Sequence, residues 1–249
     1  MIVTIAALLA SFIVPLAMFF FMKSSHKDDE NYQKDCNTLL LKGSLLAPPV
    51  FLFSLAMNLL FTFVFKGNAS PLLKAIFKAF FLAALSEEIM KYLVANKTIQ
   101  NNKAKVSFLD VMAYTCIAAI GFELMEAVVY VFITNVPQIL VRGITCMHGT
   151  FGLIMGYILA KQWKTDKNAS PVLAILAATL IHGAYDFCLN EIVYEGAGGY
   201  IALAIAIFCL AVNIFSFFYI RKKREEAYYT EPLFPEAAAQ TETNEPAAQ

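Results

Sequence analysis

The chain has 249 residues, 59% of them hydrophobic and 15% charged, with a formal net charge of zero and a mean hydropathy of +0.62. A soluble domain carries about 25% charged residues, so a soluble globular domain is excluded, and the neutral balance offers no footing for a nucleic-acid partner. Apolar stretches near the ~20 residues that cross a hydrocarbon core recur along the chain, which predicts an all-α, polytopic helical bundle of about seven spans in a lipid bilayer.

In chain order, the first apolar block runs from Ile2 to about Met22; no Lys or Arg precedes it, so it reads as a retained helix and not a cleaved signal. The second covers about Leu39 to Phe65, with Pro48 and Pro49 predicting a kink. The third starts at Pro71, a residue suited to a first helical turn, and reaches about Ala95. The fourth covers about Phe108 to Thr134, the fifth about Gln138 to Ala160, the sixth Pro171 to about Asn190, and the seventh about Gly198 to Ile220. Residues 1–224 form one membrane domain, with 71–190 as its motif-bearing core, and the acidic segment 225–249 is predicted to be a disordered cytoplasmic tail.

Basic residues set direction. Lys23, Lys27 and Lys34 follow span one, Lys97, Lys103 and Lys105 follow span three, Lys161, Lys164 and Lys167 follow span five, and Arg221, Lys222, Lys223 and Arg224 follow span seven. The alternate connections hold little beyond Lys66, and Lys74 and Lys78 near the outer start of span three weaken the bias without reversing it, which predicts the N-terminus outside and the C-terminus in the cytoplasm of a multi-pass cell-membrane protein. The five cysteines follow neither a disulfide framework nor zinc-finger spacing and read as buried small side chains.

Spans three to six carry the polar groups. Span three has "SEEIMKY" with Glu87, Glu88 and Lys91, and span four "GFELMEAVVY" with Glu123 and Glu126. Span five has "RGITCMHGTFGLIMGY" with Arg142 and His148, and span six "LIHGAYDF" with His182 and Asp186. At about 2.5–3.5 kcal/mol per charged residue at a helix centre, five carboxylates would cost on the order of 12–18 kcal/mol. Pairing, neutralisation or local water must relieve that, so these groups are expected to face one another inside the bundle. Taken singly, a Glu–Lys pair is more often structural, and His182 with Asp186 one turn on could be a carboxylate fixing a tautomer. Together the groups suit hydrolysis: a glutamate activating water, and histidines with a further carboxylate either ligating a metal or stabilising an oxyanion.

In this order, "EEIMK", "GFELME", "RGITCMHGTFGLIMGYILA" and "LIHGAYDF" resemble the motifs of the PrsW family of intramembrane proteases, related to the CAAX- and bacteriocin-processing membrane proteases. The resemblance spans about residues 71–190 and implies a bacterial intramembrane endopeptidase acting on a single-span membrane protein, such as first-site cleavage of an anti-sigma factor. It implies Glu87, Glu88, Glu126, His148 and His182 as catalytic, with Lys91 and Asp186 in support; Glu123 and Arg142, charged groups on the same spans, are expected to support them too. His148, His182 and Glu126 would be the ligands of any divalent metal such as zinc, although no His-Glu-x-x-His helix is present. One departure is Ala127, where the family has Asn; Glu123 is expected to replace part of that polar contact. An ion- or proton-coupled transporter and a non-catalytic substrate-binding relative are the alternatives.

Overall fold

A computed structural model describes residues 2–66, 68–133, 136–189 and 197–235. Among these residues the molecule is helical throughout, with one isolated bridge between Ser107 and Pro232 and no strand. Five stretches are long and apolar enough to cross a membrane: Val3–His26, Glu30–Val64, Phe108–Phe132, Ile139–Thr165 and Gly199–Lys223. The helix Val172–Cys188 is apolar but shorter. The helical run from Pro71 to Asn101, which carries the paired glutamates, is not among these stretches.

The first predicted span is two helices, α1 (Ile2–Ser11) and α2 (Ile13–Lys23), meeting at Phe12. The second begins earlier than its hydropathy suggested. Helix α3 (Glu30–Leu45) starts where the Asp29 side chain accepts from the Tyr32 amide, an N-cap that apolar periodicity cannot reveal. The predicted kink is the step at Leu46 into α4 (Ala47–Val64), whose first turn holds Pro48 and Pro49.

The third span opens with Ser70 capping the Leu73 amide and Pro71 in the first turn of α5 (Pro71–Ile76). It continues through a π-helical segment, Phe77–Leu85, into α6 (Ser86–Asn101). The wider turn is supported by hydroxyls, with Ser54 of α4 and Ser86 both donating to the Leu82 carbonyl. Such widened turns recur at functional sites, and this one ends at Leu85, two residues before Glu87. Because α6 runs past Ala95 to Asn101, Glu87 and Glu88 sit well inside the helical span.

Helix α7 (Phe108–Ile133) is central, packed chiefly on α9 and α3. Its start is a reciprocal cap: Asp110 accepts from the Ser107 amide and hydroxyl, and the Ser107 hydroxyl accepts from the Asp110 amide. The fifth span is not continuous. Helix α8 (Val136–Thr145) ends at Cys146, a left-handed residue with φ 44°, and α9 (Met147–Thr165) restarts beyond it. Gly152 and Gly156 on α9 allow α7 to approach: a Cβ at either would lie 2.6 Å from the Thr115 carbonyl oxygen or 2.7 Å from the Met112 Cα. Helix α10 (Val172–Cys188) packs on the π-helical segment, where the Phe80 ring fills the space over Gly183. Helix α11 is Gly199–Lys223. The predicted span ends at Thr134 and Asn190 lie outside the described residues.

The segment from residue 225 differs from the free tail expected of its composition. A short helix α12 (Ala227–Thr230) packs its tyrosines on Phe108 of α7, and the residues after it reach Val106 and Lys103 in the connection after α6 and Trp163 near the end of α9. The Leu233 amide donates to the Val106 carbonyl at 2.8 Å, and Leu233 and Phe234 are buried. Phe234 packs against Trp163 with Lys103 over its ring. Two apolar side chains and one sheet-like bond hold a stretch whose acidic average hid them. The predicted tail beyond it, 236–249, lies outside the described residues.

Candidate active site

Four helices aim their polar residues at one point: α6 supplies Glu87, Glu88 and Lys91, α7 supplies Glu126, α9 supplies His148, and α10 supplies His182 and Asp186. Lys91 is the hub. Its ammonium has three hydrogens and no acceptor, and three partners surround it: Glu88 Oε1 at 2.9 Å, Glu87 Oε2 at 3.3 Å and His148 Nδ1 at 2.8 Å. The Phe122 ring lies beneath, 4.3 Å from the nitrogen. The i,i+4 and i,i+3 spacings allow both contacts, and both form.

The hydrogen-bond partners fix the His148 tautomer. An ammonium can only donate, so Nδ1 accepts and Nε2 carries the proton, which goes to Glu126 Oε2 at 2.6 Å. Arg142, from the last turn of α8, reaches the same Glu126 oxygen at 2.8 Å and the Tyr130 hydroxyl at 3.1 Å, with Asp186 Oδ1 3.9 Å away. Its nitrogen 3.3 Å from His148 Nε2 is therefore a neighbour of that ring, since both groups are donors.

His182 is held from the opposite side. Its Nδ1 lies 3.0 Å from Glu88 Oε1, and its ring stacks on Phe151 with centroids 5.0 Å apart. The carboxylate bonded to Nδ1 is thus Glu88, whereas the i,i+4 spacing had suggested Asp186. Asp186 Oδ2 lies 3.2 Å and Glu87 Oε2 3.8 Å from the other nitrogen, Nε2, which is buried with no aligned hydrogen-bond partner among the described residues.

Burial is graded across the cluster. The Glu88 side chain is 0% exposed, Glu87 10%, Glu126 15% and Asp186 19%, so the cluster opens on the side of Glu126 and Asp186. A small cavity beside Glu126 and Arg142 is lined by Ala127, Tyr130 and, from the first helices, Phe12 and Pro15.

Glu87, His148 and His182 each place one ligand atom within 4.8 Å of the others. Two imidazoles and a carboxylate are the donor types of a catalytic zinc site, and the unbonded His182 Nε2 fits that use. The donor set fits a divalent ion, with the condition that His148 would release Lys91 from Nδ1 or Glu126 from Nε2. The glutamate in this trio is Glu87, whereas the sequence motifs pointed to Glu126.

Glu123 lines the same small cavity as Glu126 and Arg142, and its bonds go to the backbone. Its carboxylate accepts from the amides of Met147, His148 and Gly149 at 3.2, 3.1 and 3.3 Å, capping α9. Sequence reasoning missed Asn213 on α11, which bonds the backbone at the same break. A buried amide in an apolar span was the only signal for it.

A family model described as PrsW family intramembrane metalloprotease matches residues 37–215. Protease PrsW of Oceanobacillus iheyensis is 29% identical over 157 residues, 61% of this chain and 68% of that protein. Protease PrsW of Clostridioides difficile is 31% identical over 160 residues, 60% of this chain and 64% of that protein. Protease PrsW of Halalkalibacterium halodurans is 29% identical over 191 residues, 74% and 83% of the two chains. No solved structure gives a significant match.

Proposed function

Because the chain belongs to the PrsW family of intramembrane metalloproteases, we propose that Glu87 is the base of this membrane-embedded peptidase and that its substrate is a single-span membrane protein. The observation that carries the assignment is the convergence of Glu87, His148 and His182 from three helices within 4.8 Å. The contrast between the two adjacent glutamates supports choosing Glu87. Glu88 is fully enclosed and committed to Lys91 and to His182 Nδ1, whereas Glu87 faces both imidazoles and has the longer bond to Lys91.

Glu87, His148 and His182 would hold a divalent ion, zinc being the one this donor set suits, and such an ion when bound acidifies water and polarises a carbonyl. Holding an ion and acting directly are alternative uses of Glu87 and His182, since an atom that ligates is not free to take a proton or to donate to an oxyanion; acting directly, the chain's own groups do the following. Glu87 takes a proton from water as its oxygen adds to the scissile carbonyl carbon. The developing oxyanion is met by positive charge and N–H donors from Arg142 and His182. Collapse breaks the C–N bond, and Glu87 returns the proton to the leaving nitrogen, so water is consumed and nothing is left over. Glu126 holds the Nε2 proton of His148 and neutralises Arg142, while Glu88 orients His182.

The sequence motifs imply a single-span anti-sigma factor as substrate, cleaved at a first site. Purified chain in liposomes with a panel of single-span anti-sigma-type proteins tests this. Cleavage is expected, falling by about 10³-fold or more in Glu87→Gln and His182→Ala, since proton transfer and oxyanion stabilisation each contribute about 10²–10⁴. Cleavage that persists in both folded variants removes the assignment.

A further inference from the structure

We propose that Asn213, on α11, is a positioning residue for His148, working with Glu123 to hold the break between α8 and α9. This rests on the catalytic reading of His148 given above. The break has no glycine or proline: Cys146 takes the left-handed conformation, which L side chains rarely adopt and neighbours must enforce. His148 is the second residue of the helix that restarts there. Its ring direction is therefore set by where the break points α9.

The backbone groups that the break exposes are met from two sides. On the α7 side, Glu123 accepts the three amides at the start of α9, groups with no intrahelical partner, and its negative charge suits that end of a helix. On the α11 side, the Asn213 amide donates to the Thr145 carbonyl at 2.5 Å and approaches the Cys146 carbonyl at 3.4 Å. Its own oxygen accepts from the Thr150 hydroxyl at 2.9 Å. Asn213 is buried in an otherwise apolar helix, and its donor and its acceptor are both spent on residues 145–150. An amide serving only to join two spans could bond any backbone; this one bonds the strained turn that precedes His148.

The test uses the full chain in liposomes and two readouts. Only three histidines are present, so ¹⁵N-histidine labelling resolves the His148 imidazole by magnetic resonance. In Asn213→Leu the His148 ring resonances are expected to move while those of His26, remote from the break, stay. On a single-span substrate that the wild type cleaves, kcat is expected to fall about 10²-fold, the loss that follows a displacement near 1 Å, with KM held within about twofold. Wild-type His148 resonances in folded Asn213→Leu protein overturn the proposal, whatever its activity. If Asn213→Leu does not fold, Thr150→Val decides: it removes the donor to Asn213, and is expected to move the same resonances and lower kcat about tenfold. Unmoved resonances there overturn the proposal as well. Moved resonances together with cleavage that survives Glu87→Gln would keep the positioning role and reject Glu87 as the base.

Discussion

Lys91 shows how one cation makes the cluster tolerable in a membrane. It is 2% exposed and pairs with two adjacent buried glutamates, beside which His182 is the other basic group, 3.0 Å from Glu88 and 3.8 Å from Glu87. Removing one partner of a buried ion pair leaves its charge uncompensated, at a cost of about 3–5 kcal/mol. Lys91→Met is therefore expected to lower stability to chemical unfolding in detergent by about that amount. The double variant Lys91→Met/Glu88→Gln, which removes one orphaned charge as well, is expected to recover at least half of the loss while staying inactive. Equal stability of the single variant and the wild type would show that the ammonium is not the counter-ion of the pair. These residues were legible in the sequence because a charge in an apolar span stands out against its background. Which glutamate meets which imidazole was not, because i,i+3 and i,i+4 spacings bring Lys91 equally near both carboxylates, and only the rotation of α10 decides that Glu88 reaches His182 Nδ1.

The helices themselves followed their hydropathy, and the places where they stop did not. Periodicity reports a face and not a break, so α8 and α9 read as one span: a left-handed Cys146 carries no mark of the kind glycine or proline would leave. The residues that make the break affordable, Glu123 and Asn213, come from helices remote in sequence. The docked segment after α11 escaped for a related reason. Its average is acidic, and two apolar side chains, Leu233 and Phe234, do the holding. Such a segment opens locally before the bundle unfolds, so its stability is read from amide exchange and not from a global melting temperature. Burial of a Phe side chain is worth about 1.5–3 kcal/mol. Phe234→Ala is accordingly expected to speed exchange of the Leu233 amide about 10- to 100-fold, at unchanged exchange in α7. A Leu233 amide already unprotected in the wild type would mean that the segment does not dock.

At the scale of the whole molecule, the docked segment identifies one end of the bundle. It gathers the connections after α6 and α9, near Val106, Lys103 and Trp163. The same end carries the turn after α2, where His26 meets Asp110 at 2.8 Å and Arg224 at the foot of α11 bonds the Phe21 carbonyl and Ser25. The four Lys and Arg clusters of the sequence thus collect on one side of a multi-pass protein, while the loop between α4 and α5 at the other side holds Lys66 alone. Basic residues stay in the cytoplasm, so the side of Lys103 is expected to be cytoplasmic and that of Asn68 external. The chain offers a low background for the measurement, because all five native cysteines are free and buried. Lys103 and Asn68 are both exposed, so a cysteine at either can be labelled. A membrane-impermeant maleimide is expected to label Asn68→Cys and not Lys103→Cys in spheroplasts, and to reverse that preference in inverted vesicles. The opposite pattern would turn the bundle over, and with it the open flank at Glu126 and Asp186.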